Sequence, residues 1–77
     1  MKGVRTYTIV VEPEEDGGCF VTVPALPGCL TRGSTVEECQ ARAAEAIGMR
    51  IAGLVADGEQ VPKEAGRPQL FSVTVAA

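Results

Sequence analysis

Residues 33–39, with the sequence Gly-Ser-Thr-Val-Glu-Glu-Cys, mark the point where β-type sequence gives way to an α-helix. The stretch contains two overlapping capping boxes, Ser34 with Glu37 and Thr35 with Glu38. In each box a hydroxyl can accept a hydrogen bond from a backbone N–H of the first turn. The acids also favour the positive end of the helix dipole. The stretch therefore predicts that a helix starts here, with either Ser34 or Thr35 as its capping residue.

The residues that follow continue the helix to Asp57-Gly58, where glycine favours a C-terminal stop. Apolar residues recur at steps of three and four, which places them on one helix face. They are Val36, Cys39, Ala43, Ala46, Ile47, Ile51, Leu54 and Val55. Gly48 and Gly53 each weaken the helix interior by about 1 kcal/mol relative to alanine. The close approach of another backbone, from a sheet or a second subunit, would explain why glycines stand there.

Two runs of alternating polar and apolar residues precede the helix, at positions 6–12 and 19–23. Tyr7, Ile9 and Val11 share one face of the first run. An acidic turn that ends in two glycines joins the runs, so the segment predicts an antiparallel hairpin.

The segment between the hairpin and the helix interrupts the sheet. Its Pro27-Gly28 pair suits the central positions of a type II turn. Residues 30–32 predict a short third strand that Gly33 ends.

The part beyond the helix predicts a loop over residues 59–68 and a last strand over residues 69–75. Phe71, Val73 and Val75 share one face of this strand. The predicted order is β-β-β-α-β, an α+β fold in which one helix packs across an antiparallel sheet. The expectation is a single domain, residues 1–77.

The composition indicates a domain that is short of large core residues. Alanine and valine supply 20 of the 35 apolar residues among 77. A chain of this size buries only about 60% of its unfolded surface, so a partner subunit would add needed stability. The sequence therefore predicts a homo-oligomer, a dimer or tetramer, formed through pairing of the last strand or through helix packing.

The same composition excludes several function classes. The chain has no histidine, which removes Ser-His-Asp chemistry. Its net charge of −3 and scattered cations offer no stripe for direct nucleic-acid binding. The longest apolar runs are too short to span a membrane. No catalytic residue, metal ligand or cofactor is predicted, and an acidic surface is better suited to a basic protein partner.

The cysteines favour a reduced, cytoplasmic setting. Cys19, Cys29 and Cys39 are odd in number and form no C-x-x-C pair, and no secretory signal opens the chain. We expect all three to be small buried apolar residues. An exposed, reactive thiol at Cys29, beside the Pro-Gly turn, is the alternative.

A metal-dependent nuclease is a remote alternative, because it would need several carboxylates that converge on Mg²⁺. The candidates are Glu12, Asp16, Glu37, Glu38 and Glu45. Capping and turn solvation account for most of them.

Over residues 7–62 the chain resembles the N-terminal domain of the HicB family of antitoxins. The hairpin with its acidic Gly-Gly turn, the stretch 23–29 (Val-Pro-Ala-Leu-Pro-Gly-Cys) and the helix start at residues 33–39 carry the resemblance. Residues 43–47 (Ala-Ala-Glu-Ala-Ile) match the family's helix body, and residues 61–62 match the segment after it. The motif scaffold comprises Pro24, Pro27, Gly28, Gly33, Thr35 and Glu38.

The resemblance implies a partial RNase H-like fold and neutralisation of a HicA toxin, a small basic RNA-cleaving protein. Many relatives add a C-terminal DNA-binding domain, and because this sequence ends after the last strand we expect no autorepression by it. Cys39 and Ala25 depart from the family's usual alanine and acid. The side chains that contact the toxin are not identified by the resemblance. A stand-alone oligomeric domain without a toxin is the second hypothesis.

Overall fold

The computed structural model describes residues 4–76 and contains a three-stranded antiparallel sheet followed by one helix. The strands are β1 (Val10–Pro13), β2 (Cys19–Thr22) and β3 (Leu30–Gly33), and they lie in the order β1-β2-β3. The helix, α1, spans Val36–Ala56. The predicted α+β class, with one helix across an antiparallel sheet, is confirmed.

The β1–β2 hairpin aligns Val11 with Val21. A hydrogen bond of 2.8 Å from the Glu14 N–H to the Gly18 carbonyl closes the turn. Hydrogen-bonded positions alternate along an antiparallel pair, so the even-numbered residues of β1 point their backbone groups at β2. The backbone N–H and C=O groups of Ile9 and Val11 consequently point away from β2, towards the open edge of the sheet.

The segment between β2 and β3 consists of two successive turns that bury one leucine. Leu26 N–H donates to the Val23 carbonyl at 2.9 Å, and Cys29 N–H donates to the Leu26 carbonyl at 2.9 Å. The second turn has Pro27 and Gly28 at its centre, and Gly28 has φ +83°. This is the geometry of the predicted type II turn. The turns place Leu26, 1% exposed, in the core.

The N-terminus of α1 uses the second of the two predicted capping boxes. The Thr35 hydroxyl accepts from the Glu38 N–H at 3.1 Å. The Glu38 carboxylate accepts in return from the Ser34 N–H at 2.6 Å. Thr35, rather than Ser34, is therefore the N-cap residue.

The C-terminus of α1 ends in a Schellman motif. The Glu59 N–H donates to the Leu54 carbonyl at 2.9 Å, and the Gly58 N–H donates to the Val55 carbonyl at 3.1 Å. These bonds satisfy carbonyls that the helix leaves without partners. The stop predicted at Asp57-Gly58 is confirmed, with Asp57 as the C-cap.

The core lies between the sheet and the first half of α1. Cys39 and Ala43 are the buried residues of the helix, and they pack against Cys19 and Val21 of β2. A Cβ at Gly33 would lie 2.9 Å from the backbone nitrogen and from the Sγ of Cys39. Only glycine lets the helix start approach the strand end so closely.

Two contacts tie the loop after α1 to the segment before β1. The Tyr7 hydroxyl donates to the Pro62 carbonyl at 2.5 Å. The Glu64 carboxylate accepts from the Thr8 N–H at 2.5 Å and from the Thr8 hydroxyl at 2.7 Å. β2 ends before Pro24 and leaves the Thr8 N–H without a ladder partner, so Glu64 supplies the acceptor. For the same reason β1 begins later than the run 6–12 indicates.

The predicted last strand, residues 69–75, lies outside the sheet. Its large side chains project into solvent, with exposed fractions of 86% for Leu70, 81% for Phe71, 82% for Val73 and 75% for Val75. The radius of gyration is 14.7 Å, against roughly 11.5 Å expected for a compact chain of this length. The physical reason for the difference is that this segment has no partner within the described chain.

We predict that Thr35→Ala lowers the free energy of unfolding by about 1 kcal/mol, because the first turn loses its side-chain acceptor. Ser34→Ala is the matched control, since Ser34 contributes only its backbone N–H to the cap. Urea denaturation at one protein concentration measures both. A larger loss in Ser34→Ala than in Thr35→Ala would contradict the assignment.

We predict that the Glu64 contact makes stability depend on pH. Hydrogen bonds from the Thr8 backbone and hydroxyl lower the pKa of Glu64 below its usual range. Its stabilising contribution is therefore complete above the ordinary glutamate pKa of about 4.3 and is lost as the pH falls through the lower value of the folded state. Glu64→Gln should reduce stability at neutral pH, and the difference from the unchanged chain should shrink towards pH 3.

The control for this pH series is Glu59→Gln, because the Glu59 side chain is exposed. Urea denaturation from pH 7 to pH 3 at fixed protein concentration gives both curves. A stability difference for Glu64→Gln that stays constant over this range would contradict the prediction.

Candidate partner-binding surface

The sheet has one face that α1 does not cover, and we call it the outer sheet face. Side chains alternate between the two faces along each strand. Val11 and Val21 point towards the helix, so the residues before and after them point to the other face. The outer sheet face comprises Val10, Glu12, Phe20, Thr22, Leu30 and Arg32. Leu30 is 56% exposed, so the face offers apolar surface to a partner.

The centre of the outer sheet face is a cation–π contact between cross-strand neighbours. Phe20 pairs with Arg32 across β2 and β3, and the guanidinium carbon lies 5.6 Å from the ring centroid. Arg32 also approaches the Glu14 carboxylate at 3.7 Å. Because an acid and an aromatic ring hold this cation, its charge opposes the approach of a basic partner less than an unpaired arginine would.

The β1–β2 turn places acidic residues beside this face. The Asp16 carboxylate accepts from the Gly18 N–H at 3.0 Å, and the Gly17 N–H donates to the Glu14 carbonyl at 3.0 Å. Glu15 and Asp16 are exposed, as is Glu12 on β1. The turn is therefore held by hydrogen bonds and forms a negatively charged rim next to the outer sheet face.

The motif scaffold residues form two groups, and neither lies on the outer sheet face. Pro24, Pro27 and Gly28 shape the two turns between β2 and β3. The Arg50 guanidinium donates to the Pro27 carbonyl at 3.0 Å and so ties these turns to α1. The other three, Gly33, Thr35 and Glu38, build the junction of β3 and α1. Both groups position the sheet and the helix.

The carboxylates considered for a nuclease have separate tasks. Asp16 braces the turn and Glu38 completes the cap, while Glu12, Glu37 and Glu45 are exposed at different places. Within residues 4–76, no three acidic or cysteine side chains are grouped closely enough to hold a metal ion.

All three cysteines are buried and unbridged, as the sequence predicts. Burial raises the pKa of the Cys39 thiol, whose Sγ lies 3.7 Å from the Cys19 carbonyl. Cys29 is 6% exposed and belongs to the core cluster around Leu26. The alternative of an exposed, reactive Cys29 is wrong, because Cys29 closes the turn by its hydrogen bond to Leu26 and is buried together with it.

Several contacts that position the sheet and the helix carry no local sequence signal. The contacts of Glu64 with Thr8 and of Arg50 with Pro27 join residues 56 and 23 positions apart. The Phe20–Arg32 contact follows from the register between β2 and β3. The alternation of residues 19–23 indicates which side chains share a face, but the contact becomes predictable only when β3 is aligned with β2.

No helix in the described part of the chain is long and apolar enough to cross a membrane.

Comparison with known proteins connects the chain with one family. The family described as "HicB_like antitoxin of bacterial toxin-antitoxin system" matches residues 7–72. A UPF0150 protein of Synechocystis sp. is 41% identical over 63 residues, which cover 82% of this chain and 80% of the relative. A UPF0150 protein of Thermoplasma acidophilum is 41% identical over 58 residues, covering 75% of this chain and 84% of the relative.

A relative named as an antitoxin is similar over a comparable stretch. Antitoxin HicB 1 of Photorhabdus laumondii is 38% identical over 62 residues, which cover 80% of this chain but 39% of that protein. No solved structure matches the chain.

We predict that any side chain at Gly28 destabilises the turn. Gly28→Ala should lower the free energy of unfolding by about 1–2 kcal/mol, because a Cβ is unfavourable at positive φ. The added carbon would also lie 3.2 Å from the Arg50 guanidinium. Gly53→Ala is the control: its Cβ meets nothing within 4 Å and should stabilise the helix by up to about 1 kcal/mol. Urea denaturation decides, and opposite signs are expected.

Proposed function

The chain belongs to the HicB-like antitoxin family of bacterial toxin–antitoxin systems, and from this premise we propose that it neutralises a small basic, RNA-cleaving toxin of the HicA type by stoichiometric binding. The observation that carries the proposal is the family match over residues 7–72. The antitoxin acts through contact, without chemistry of its own. Because the toxin's substrate is cellular RNA, the proposed neutralisation takes place in the cytoplasm.

The outer sheet face is our proposed contact surface for the toxin. It combines half-buried Val10 and Phe20 with the more exposed Leu30, and an apolar centre of this kind is typical of interface cores. Glu12, Glu15 and Asp16 lie at its rim, where negative charge attracts a basic protein and speeds its encounter. The scaffold residues hold the strands that present these side chains.

The acidic rim also favours a basic protein partner over an RNA substrate. The chain has 7 basic and 10 acidic residues, and the turn between β1 and β2 concentrates part of the excess. A surface of this sign repels RNA and attracts the basic protein that cuts it. Blocking the toxin's access to RNA therefore requires only that the antitoxin occupy the toxin's basic surface.

We also propose that the antitoxin is a homo-oligomer, a dimer or a tetramer. The exposed apolar segment at residues 69–75 supports this, because a lone chain would leave it in water. A self-associating domain without any toxin is the competing function, and the same segment is compatible with it.

The test of toxin neutralisation is co-expression of the chain with the small basic protein encoded beside its gene, followed by co-purification. Growth should be rescued and a stable complex should form. Glu12→Lys should weaken the complex about tenfold or more, with a larger loss at low salt, because a rim charge is reversed. Binding is measured by calorimetry at two salt concentrations.

Glu45→Lys is the matched control for Glu12→Lys. Both substitutions change the net charge by the same amount at an exposed acid, but Glu45 lies on α1, which packs against the opposite face of the sheet. It should leave affinity within about twofold. Equal losses in the two variants would overturn the outer sheet face as the contact surface. The absence of both rescue and complex would overturn the toxin and leave the self-associating domain.

A further inference from the structure

The C-terminal segment, residues 69–75, has the pattern of a β-strand but no strand beside it. In a strand, Phe71, Val73 and Val75 would share one side, and each is at least 75% exposed. The segment contains no charged residue. Natural sheets usually protect such neutral, apolar edges by pairing or covering them, so this segment needs a partner.

The outward edge of β1 is an open position for such a strand. The Glu14–Gly18 hydrogen bond shows that the even-numbered residues of the first strand bond to β2. The N–H and C=O groups of Ile9 and Val11 therefore point away from β2. Neither residue has a hydrogen-bond partner on that side among residues 4–76. Pro13, which has no N–H to offer, lies farther along the same edge, and this limits pairing to the part around Ile9 and Val11.

A groove along the second half of α1 lies on the same side of the molecule. Gly48, Ile51, Ala52 and Val55 line it, and Arg5, which precedes β1, borders it. The groove has a volume of about 620 Å³ and an apolar lining. The other flank of α1, at Met49 and Arg50, borders the start of β3 instead. A strand added beside β1 would therefore turn its inner side chains into this groove.

The groove bears on why a glycine stands in the second half of α1. A Cβ at Gly48 would meet nothing within 4 Å, so no backbone of the same described chain makes the close approach. Val55 at the end of the groove is 63% exposed. The second half of α1 therefore presents an apolar surface that residues 4–76 leave open.

The chain's own C-terminal segment is led away from the groove. Val61 lines the groove, but the contacts of Pro62 with Tyr7 and of Glu64 with Thr8 redirect the chain. By Pro68 it borders Pro24 and Ala25, at the loop after β2.

From these observations we infer that residues 69–75 of one copy pair with the outward edge of β1 in a second copy, and that the exchange is reciprocal. Phe71, Val73 and Val75 then fill the groove along α1 of the partner copy. Burying a valine or phenylalanine side chain removes on the order of 100 Å² of surface from water. Two copies contribute six such side chains, and with the equal area of the grooves that receive them the buried surface totals roughly 1,200 Å². That area reaches the lower bound for a specific interface, before the backbone contacts are added.

This inference concerns self-association and stands whether or not a toxin is bound. The first measurement is the mass of the purified chain in reducing buffer, by light scattering over a hundredfold range of concentration. A dimer is expected. The double variant Phe71→Glu with Val73→Glu should raise the dimer dissociation constant on the order of a hundredfold or more, since it places charges in the apolar groove.

The matched control is Ser72→Glu with Thr74→Glu, which adds the same charges on the alternate face of the same strand. It should remain a dimer. A monomer at every concentration, or a dimer that persists in the Phe71/Val73 variant, would overturn the inference. Loss of the dimer in both variants to the same degree would overturn the assignment of the inner face.

Amide hydrogen exchange in the unchanged chain locates the pairing independently of how the variants fold. The N–H groups of Ile9 and Val11 should be protected in the dimer and should exchange faster on dilution. A dimer in which both exchange freely would overturn pairing at β1. Protection that persists in a monomer would mean that the segment pairs with its own chain, which also overturns the exchange.

Discussion

The contact between the end of β3 and the first turn of α1 fixes the rest of the structure. Gly33 lets Cys39 approach within a distance that no side chain would permit, and Cys39 is completely buried as a result. The Thr35–Glu38 cap sets the direction in which the helix leaves. Because α1 starts in this place, its first half covers β2, and its second half extends beyond the core.

Function follows from which faces this arrangement leaves uncovered. A single helix can cover one side of a three-stranded sheet, so the other side, with Phe20 and Leu30, stays available to a partner. The side chains in the core are small, and the largest fully buried ones are Leu26, Val21 and Cys39. Because a domain with so little interior is only marginally stable by itself, contact with a partner would add to its stability. A need for partners fits the antitoxin family to which the chain belongs.

Local signals predicted the parts of the fold that are decided locally. The cap, the Pro27-Gly28 turn, the helix stop and the hairpin each depend on residues close in sequence, and all were predictable. The choice of Thr35 over Ser34 was not, because both boxes satisfy the same pattern. The outer sheet face required strand register. The pairing of the last strand depends on what lies beside it, and alternation specifies a strand without specifying its neighbour.

The bonds of Tyr7 and Thr8 to the loop after α1 also predict an order of folding. They join residues 55 and 56 positions apart, whereas the hairpin and the helix close over a few residues each. Long loops close late because the entropy of closure must be overcome before the contact rewards it. We therefore expect the hairpin and the helix to form first and the contacts between residues 7–8 and 62–64 to form last. By the same reasoning we expect the contacts of Tyr7 and Thr8 with the loop after α1 to open together, before the hairpin and the helix do.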